Sequence, residues 1–490
     1  MKKIFTIAIL LAIIKIIYIL FGHIDLSPEE AQYWVWSKFL DVYYYSKPPM
    51  IAYFNYISTS IFGDTELGVR INAVLIASFL FIFMYFFTKK IFKDEKIAVF
   101  SAFSLIPLVS YNLMSILFLT DTVLMLFYVI SLYFFYKVLF LNEKKHLILW
   151  GIFSGLALLS KQVFIIIYPV FLLLIYLYKK DLLKNTVFYF SFGISILIGL
   201  IPLIIWNINN EFATLKHLFY LSGGNNYFDI KKSLKHLGDY VLSQIAINSI
   251  FLFPFFVFAI VKGFKDIKDK NIAFLLSFPA FVFLFFILIS LKHRVYENWP
   301  AFAYFTLYIL VAFYVYKYRK FKQYVILSFI SIVSIVFLFY TPLLDKVGLG
   351  KFLPPEKDPT KKLVGWKGLA KKVEEIRKNY PDAFLFSDDY FISSELIFYL
   401  KSHPFVYCIN TGRRKNQFDY WENINSEKNF GKTGIYITGV NIQKFVRDGF
   451  SKVVLKAEYN VEYRGKNIKH FNIYVLSNFS GIKEVKTNRY

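Results

Sequence analysis

The chain has 490 residues, of which 57% are hydrophobic and 18% charged, and 57 Lys and Arg against 33 Asp and Glu leave a net charge of +24. So apolar a composition excludes a disordered chain and an ordinary soluble domain, and it marks a membrane protein. The basic excess gathers in short Lys clusters where membrane topology asks for it, so nucleic acid is not an expected partner, and the single cysteine, Cys408, excludes an internal disulfide and a cysteine metal site.

Met1-Lys2-Lys3 opens an apolar run to Phe21 with no small-residue cleavage site after it, which reads as a first transmembrane helix and not a removed signal. Further apolar runs begin near Val69, Ile97, Ile116, Leu147, Gln162, Thr186, Val241, Ile272, Trp299 and Tyr324. Together they suggest roughly eleven spans. Lys clusters at 89–96, 144–145, 179–184, 262–270 and 317–322 alternate with these runs. The positive-inside rule then places those loops and the N-terminus in the cytoplasm of a multi-pass protein of the plasma (inner) membrane. Two long loops, 22–68 and 207–240, face outward, and so does everything after Tyr340.

The expected fold is thus mainly α-helical and polytopic over residues 1–341, followed by a periplasmic or extracellular α/β domain over residues 342–490. In that tail Trp366–Asn379 and Phe391–Leu400 are amphipathic, while Ala383–Phe386, Phe405–Ile409 and Gly434–Ile437 are short and apolar. Lys452–Tyr463 and Ile468–Leu476 read as a terminal hairpin around Arg464-Gly465-Lys466-Asn467.

The first outward loop carries Ser27-Pro28-Glu29-Glu30, followed by Ala31-Gln32-Tyr33-Trp34-Val35-Trp36. Ser27 as N-cap, Pro28 in the first turn and Glu30 three residues after Ser27 make a capping box, with Trp34 and Trp36 as interfacial anchors. The box needs one glutamate. Glu29 is left over at a helix N-terminus, which favours negative charge, and it is the first candidate for a catalytic base, with Glu30 the second.

Lys47 lies in Tyr44-Tyr45-Ser46-Lys47-Pro48-Pro49, where Pro48 keeps it extended and fit to meet a phosphate or, more simply, a lipid headgroup. Arg70 at the outer mouth of the second span offers a further phosphate ligand. Asp121, after Thr120, either caps its helix or serves in catalysis. Lys161 and Lys292 are outward cations that topology does not require, and Arg294 shares that position. Outward bases beside outward acids point to an anionic substrate. Asp-x-Asp, dinucleotide-glycine and His-Glu-x-x-His motifs are absent from the sequence, and Ser426 spoils the phosphate-loop pattern before Gly431-Lys432-Thr433. No cofactor is called for, although a divalent metal ion stays open.

In their order, the acidic pair with Ala-x-Tyr-Trp, Tyr-Tyr-x-Lys-Pro-Pro-x-Ile-Ala, Arg70, Thr120-Asp121, Ser160-Lys161 and Asn298-Trp299-Pro300 resemble the bacterial protein-mannosyltransferase-like and aminoarabinose-transferase-like membrane glycosyltransferases of GT-C fold. The resemblance covers the membrane part, and Gly365-Trp366 through Tyr420-Trp421 resembles the outer domain of many members. It implies a sugar donor on polyprenyl phosphate, with Lys47, Arg70, Lys161 and Lys292 meeting the leaving phosphate. A carboxylate would take the acceptor proton, and single displacement would invert the anomeric centre. Glu29 stands where relatives usually carry Asp, and Gln32 where aminoarabinose transferases carry Arg. A lipid A or lipopolysaccharide-type acceptor is favoured over a secreted protein, because a basic outer surface suits an anionic lipid. A lipid or solute transporter is the reading from another class. It is disfavoured because the acids cluster at one membrane face and no repeated halves are evident.

Overall fold

A computed structural model of the chain describes residues 1–22, 24–221, 229–485, 487 and 489. Residue 23 of the first long loop and 222–228 of the second, both singled out as outward, lie outside the described residues. Six described helices are long and apolar enough to cross a bilayer: Lys2–Phe21, Glu66–Phe92, Thr120–Phe140, Thr186–Asn209, Lys270–Ser290 and Phe321–Phe339. A seventh crossing results if Ile230–Asn248 and Phe253–Lys265, bent by 106° at their junction, count as one. The expected number was roughly eleven. The runs beginning near Ile97, Leu147, Gln162 and Trp299 instead form shorter helices, among them Glu95–Phe103, Leu147–Ser160 and Tyr304–Lys317. They are interrupted near Pro107, Lys161 and Pro300, and irregular backbone of this kind is tolerated at membrane depth only inside protein or along a cavity.

The chain divides into two compact units. The first comprises Met1–Tyr18, Lys47–Ile51 and Arg70–Val336. Within it helix Leu147–Ser160 carries Gly151 and Gly155 one turn apart, against helix Thr186–Asn209. A Cβ on Gly151 would meet the carbonyl oxygen of Ser191 at 2.2 Å and one on Gly155 that of Ser195 at 2.9 Å, so only glycine lets these backbones approach. On another face Ser154 Oγ lies 2.7 Å from Ser131 Oγ of helix Thr120–Phe140. Three helices are thereby locked around the segment that ends in Lys161.

The second unit comprises Ile19–Ser46, Ala52–Val69 and Phe337–Tyr490. It is therefore not the tail alone. Leu26, Trp34, Val35 and Val69 from the first long loop share one hydrophobic core with Trp366, Leu369, Leu396, Ile435 and Val475. Its sheet has the order β2-β1-β3-β5-β4, where β1 is Phe384–Ser387, β2 Val406–Cys408, β3 Gly434–Thr438, β4 Phe450–Tyr463 and β5 Lys466–Phe479. Strands β1, β2 and β3 pair in parallel, and β5 runs antiparallel to β3 and β4. Helices Trp366–Arg377 and Tyr390–Tyr399 fall where the apolar periodicity put them. Trp34 and Trp36 are a difference from expectation: both are fully buried within this unit, Trp34 in its core, and are not interfacial anchors. The Trp34 ring packs edge-on to Phe398 at 4.9 Å and its Nε1 donates to Asp64 at 2.8 Å, while Trp36 stacks on Tyr44 at 4.3 Å.

The β4–β5 hairpin turns on Arg464 and Gly465, both at positive φ (51° and 73°), the geometry of a two-residue turn that matches strand twist. Arg464 then reaches back to the linker. Its Nε and Nη2 donate to Asp345 at 2.7 and 3.0 Å, and its Nη1 donates to Asp358 at 2.8 Å. Burial opposes ionisation of Asp358, but hydrogen bonds from Thr341, Thr360 and Arg464 outweigh it and hold the carboxyl below the usual range. A depressed carboxylate adds stability above its unfolded value, near pH 4, that disappears as pH falls through the folded value. Arg464→Lys keeps charge but loses the fork, and it should cost about 1 to 3 kcal/mol in this unit. Thermal melts at pH 7 and at pH 3 check this: the deficit of the variant should shrink at pH 3.

Candidate active site

The capping box is present as expected. The Glu30 N–H donates to Ser27 Oγ at 3.2 Å, and Glu30 Oε2 accepts the Ser27 N–H at 2.9 Å, at the start of helix Pro28–Lys38. Glu30 is fully buried, whereas Glu29 is only partly so. The preceding loop is pinned as well: the Leu26 N–H donates to Tyr399 Oη at 2.7 Å. Asp25 Oδ2 accepts the Trp366 N–H at 2.8 Å and thereby caps helix Trp366–Arg377. Burial pushes the Asp25 carboxyl above its usual range, against the pull of the Trp366 and Lys367 N–H groups and of the Lys367 charge. Glu29 thus stands at the open end of a helix fixed on both sides.

Sequence reasoning missed the neighbour of Glu29. The Tyr390 phenol is pushed up first by burial and next by the charge of Glu29. Tyr390 begins helix Tyr390–Tyr399, which packs on helix Pro28–Lys38. Nothing local in the sequence ties two residues so far apart along the chain.

Lys47, Arg70, Asp121, Lys161 and Lys292 all belong to the first unit, and Glu29 and Glu30 to the second. Lys161 and Asp121 are brought together: Lys161 Nζ donates to Asp121 Oδ1 at 2.6 Å, with Lys161 3% and Asp121 8% exposed. The other carboxylate oxygen accepts from Asn298 Nδ2 at 2.9 Å. Both Asp121 oxygens are therefore engaged by side chains from two other parts of the chain, which distinguishes this residue from a simple helix cap. Lys161 ends helix Leu147–Ser160 with extended backbone (φ −158°, ψ 126°) before the next turn, a break that aims its side chain at Asp121. Asn298 carried a motif in the sequence without a role, and the structure supplies one.

Arg70 is fully buried in the first turns of helix Glu66–Phe92. Lys47 is half-buried before the Pro48-Pro49 pair. Lys292 lies exposed just beyond helix Lys270–Ser290. Among the described residues no three His, Cys, Asp or Glu side chains come together in a way that could hold a metal ion. Chemically the first unit offers buried cations with one fixed carboxylate, and the second offers a pair of carboxylates of which one is taken by a cap.

The fold is the GT-C fold expected from the motifs. Over 96% of this chain it superposes on 97% of ArnT from Cupriavidus metallidurans bound to undecaprenyl phosphate, with a TM-score of 0.63 at 12% identity. The apo form of that protein matches 95% of the chain with a TM-score of 0.61 at 12% identity. Residues 46–206 match the dolichyl-phosphate-mannose-protein mannosyltransferase family. The lipid A galacturonosyltransferase RgtD of Rhizobium johnstonii is 25% identical over 296 residues, which cover 59% of this chain and 60% of RgtD. An uncharacterized protein of Aquifex aeolicus is 27% identical over 279 residues, 53% of this chain and 52% of its own length. The matching region thus spans between half and three fifths of these relatives.

Proposed function

We propose that the chain is a glycosyltransferase that moves a sugar from a polyprenyl-phosphate carrier to lipid A or a related envelope glycolipid, on the outer face of the inner membrane. The observation that carries this reading is the whole-length likeness to an ArnT bound to undecaprenyl phosphate. The RgtD match supports lipid A as the acceptor class over a secreted protein. The N-terminus is cytoplasmic and the second unit faces outward, a reading that rests on the Lys clusters.

In this reading an acceptor hydroxyl attacks the anomeric carbon from the face opposite the phosphate. The sugar–phosphate C–O bond breaks and its electron pair stays on the phosphate oxygen, while the hydroxyl proton passes to Glu29, so the anomeric centre inverts. Lys47 and Arg70 stabilise the charge that grows on the departing phosphate, as does Lys161. Asp121 positions Lys161 and Asn298 and does not itself transfer a proton. Glu30 holds the helix that presents Glu29.

Purified protein in detergent should consume an undecaprenyl-phosphate-linked sugar when given lipid A. Absence of any consumption across several such donors would reject the assignment. Lys47→Ala should lower donor use roughly 10-fold to 100-fold, the effect of deleting one charge-assisted hydrogen bond, with expression intact. Normal donor use in that variant would return Lys47 to a headgroup contact.

A further inference from the structure

A cavity of about 280 Å³ opens in the second unit at the carboxyl end of β2, where its wall begins with Cys408, Ile409 and Asn410. In open α/β sheets the crevice beyond the strand carboxyl ends is the usual place for a ligand. None of the roles assigned to Glu29, Lys47, Arg70 or Lys161 uses it. Its volume lies near the lower end for small-molecule pockets, so it has room for one ring and not a chain of them. Its lining includes the apolar side chains of Ile409, Phe418 and Ile424 and the ring of Tyr407. Its rim carries Asp419, Glu422, Asn423 and Glu484.

The rim carboxylates are already held in place. Asp419 accepts from Arg413 Nη1 at 2.8 Å and Nη2 at 3.1 Å. Glu422 accepts from Lys428 at 2.7 Å. Glu484 accepts the Asn410 N–H and Asn423 Nδ2, each at 2.9 Å. Asp419 also accepts the Asn416 N–H at 2.6 Å and Asn410 Nδ2 at 3.3 Å, which fills its roughly four lone-pair sites, whereas Glu422 and Glu484 keep acceptor capacity. Of the three lining carboxylates, Asp419 is paired with Arg413 and Glu422 with Lys428, and the lining also carries Lys415, so the lining and its ion-pair partners sum to no net charge. Prefixed acceptors and amides beside apolar side chains, without net charge, match a ligand that donates several hydroxyls and carries a C–H face.

We propose that this cavity binds a single uncharged pyranose ring, as a saccharide subsite separate from the residues of bond making. On the transferase reading above, on which this clause rests, the ring belongs to the acceptor's glycan. The loop that closes the cavity also touches the chain just before Lys47: Gln417 Oε1 accepts the Tyr45 N–H at 2.7 Å, and Tyr420 stacks on Tyr45 with centroids 5.6 Å apart. A sugar seated there therefore braces the segment that leads into Lys47.

The test is saturation-transfer NMR on the full chain in detergent with methyl β-D-glucoside, methyl β-D-galactoside and methyl α-D-mannoside as probes. At least one should bind in the millimolar range. Glu422→Ala should weaken it about tenfold, the loss of one charged hydrogen-bond acceptor, and Asn423→Trp should fill the cavity and abolish the signal. Glu422 and Asn423 are exposed, so neither change threatens the fold. The subsite is overturned if no glycoside binds, if Asn423→Trp binds as well as wild type, or if glucuronate or inorganic phosphate outcompetes the neutral sugars. Binding in a protein that turns over no donor would sustain the subsite and reject the transferase reading. Donor turnover with no glycoside binding would do the reverse.

Discussion

Glu29→Gln should slow sugar transfer by about 100-fold to 10,000-fold, the usual contribution of a general base, while leaving donor binding largely intact. Gln keeps the size of Glu and can still hydrogen-bond, so a loss of that size isolates the proton-accepting role. Glu30→Gln belongs in the same experiment, because Glu30 is buried in the capping box and Glu29 is not. Gln at position 30 can still accept the Ser27 N–H and complete the capping box, so Glu30→Gln should leave turnover near wild type and cost at most about 1 kcal/mol in stability. Near-normal turnover in Glu29→Gln with collapse in Glu30→Gln would show the base to be the other glutamate. Glu29→Asp should be the milder change, as it shortens the side chain by one methylene and keeps the carboxylate. An acceptor phosphate needs no base at neutral pH, so full activity of Glu29→Gln toward a phosphate acceptor and loss toward a hydroxyl acceptor would identify the nucleophile.

Asp121→Ala should destabilise the first unit by about 3 to 5 kcal/mol, because it strands the buried Lys161 ammonium and also releases Asn298. Removing both charges with Asp121→Asn and Lys161→Met should restore much of that stability, since a buried pair replaced by neutral groups of similar size is often neutral or better. Transfer should remain lost in the double variant, which lacks the cation for the leaving phosphate. The double-mutant cycle therefore separates two roles: stability recovers and activity does not. A double variant that recovered activity would remove Lys161 from phosphate binding, and an Asp121→Ala protein that melted like wild type would show that the pair contributes nothing to folding.

Local signals were legible where their physics is local. The capping box follows from Ser27, Pro28 and Glu30 within one turn, and the hairpin follows from alternating strands around Arg464-Gly465. The parallel strands β1, β2 and β3 were visible as short apolar runs, because buried strands need no alternation. The Asp121–Lys161–Asn298 cluster was visible only as separate outward polar residues, since its members come from three distant segments and no periodicity reports such a meeting. Trp34 and Trp36 misled for the same reason: beside a first span, tryptophans look like anchors, and only Phe398, Asp64 and Tyr44 reveal a core. Six or seven described helices are long enough to span where about eleven apolar runs were counted, because such runs do not show where helix Leu147–Ser160 stops at Lys161 or where helix Ile230–Asn248 bends.

The mixed core of the second unit sets a problem of timing for biogenesis. Leu26, Trp34, Val35 and Val69 leave the ribosome roughly 300 to 450 residues before Trp366, Leu396 and Val475, the residues that bury them. At about 5 to 20 residues per second that interval is roughly 15 to 90 s. Throughout it the early loop has its apolar face formed and no partner for it, so nascent chains stalled before Trp366 will need a holding factor or will aggregate through Trp34 and Val35.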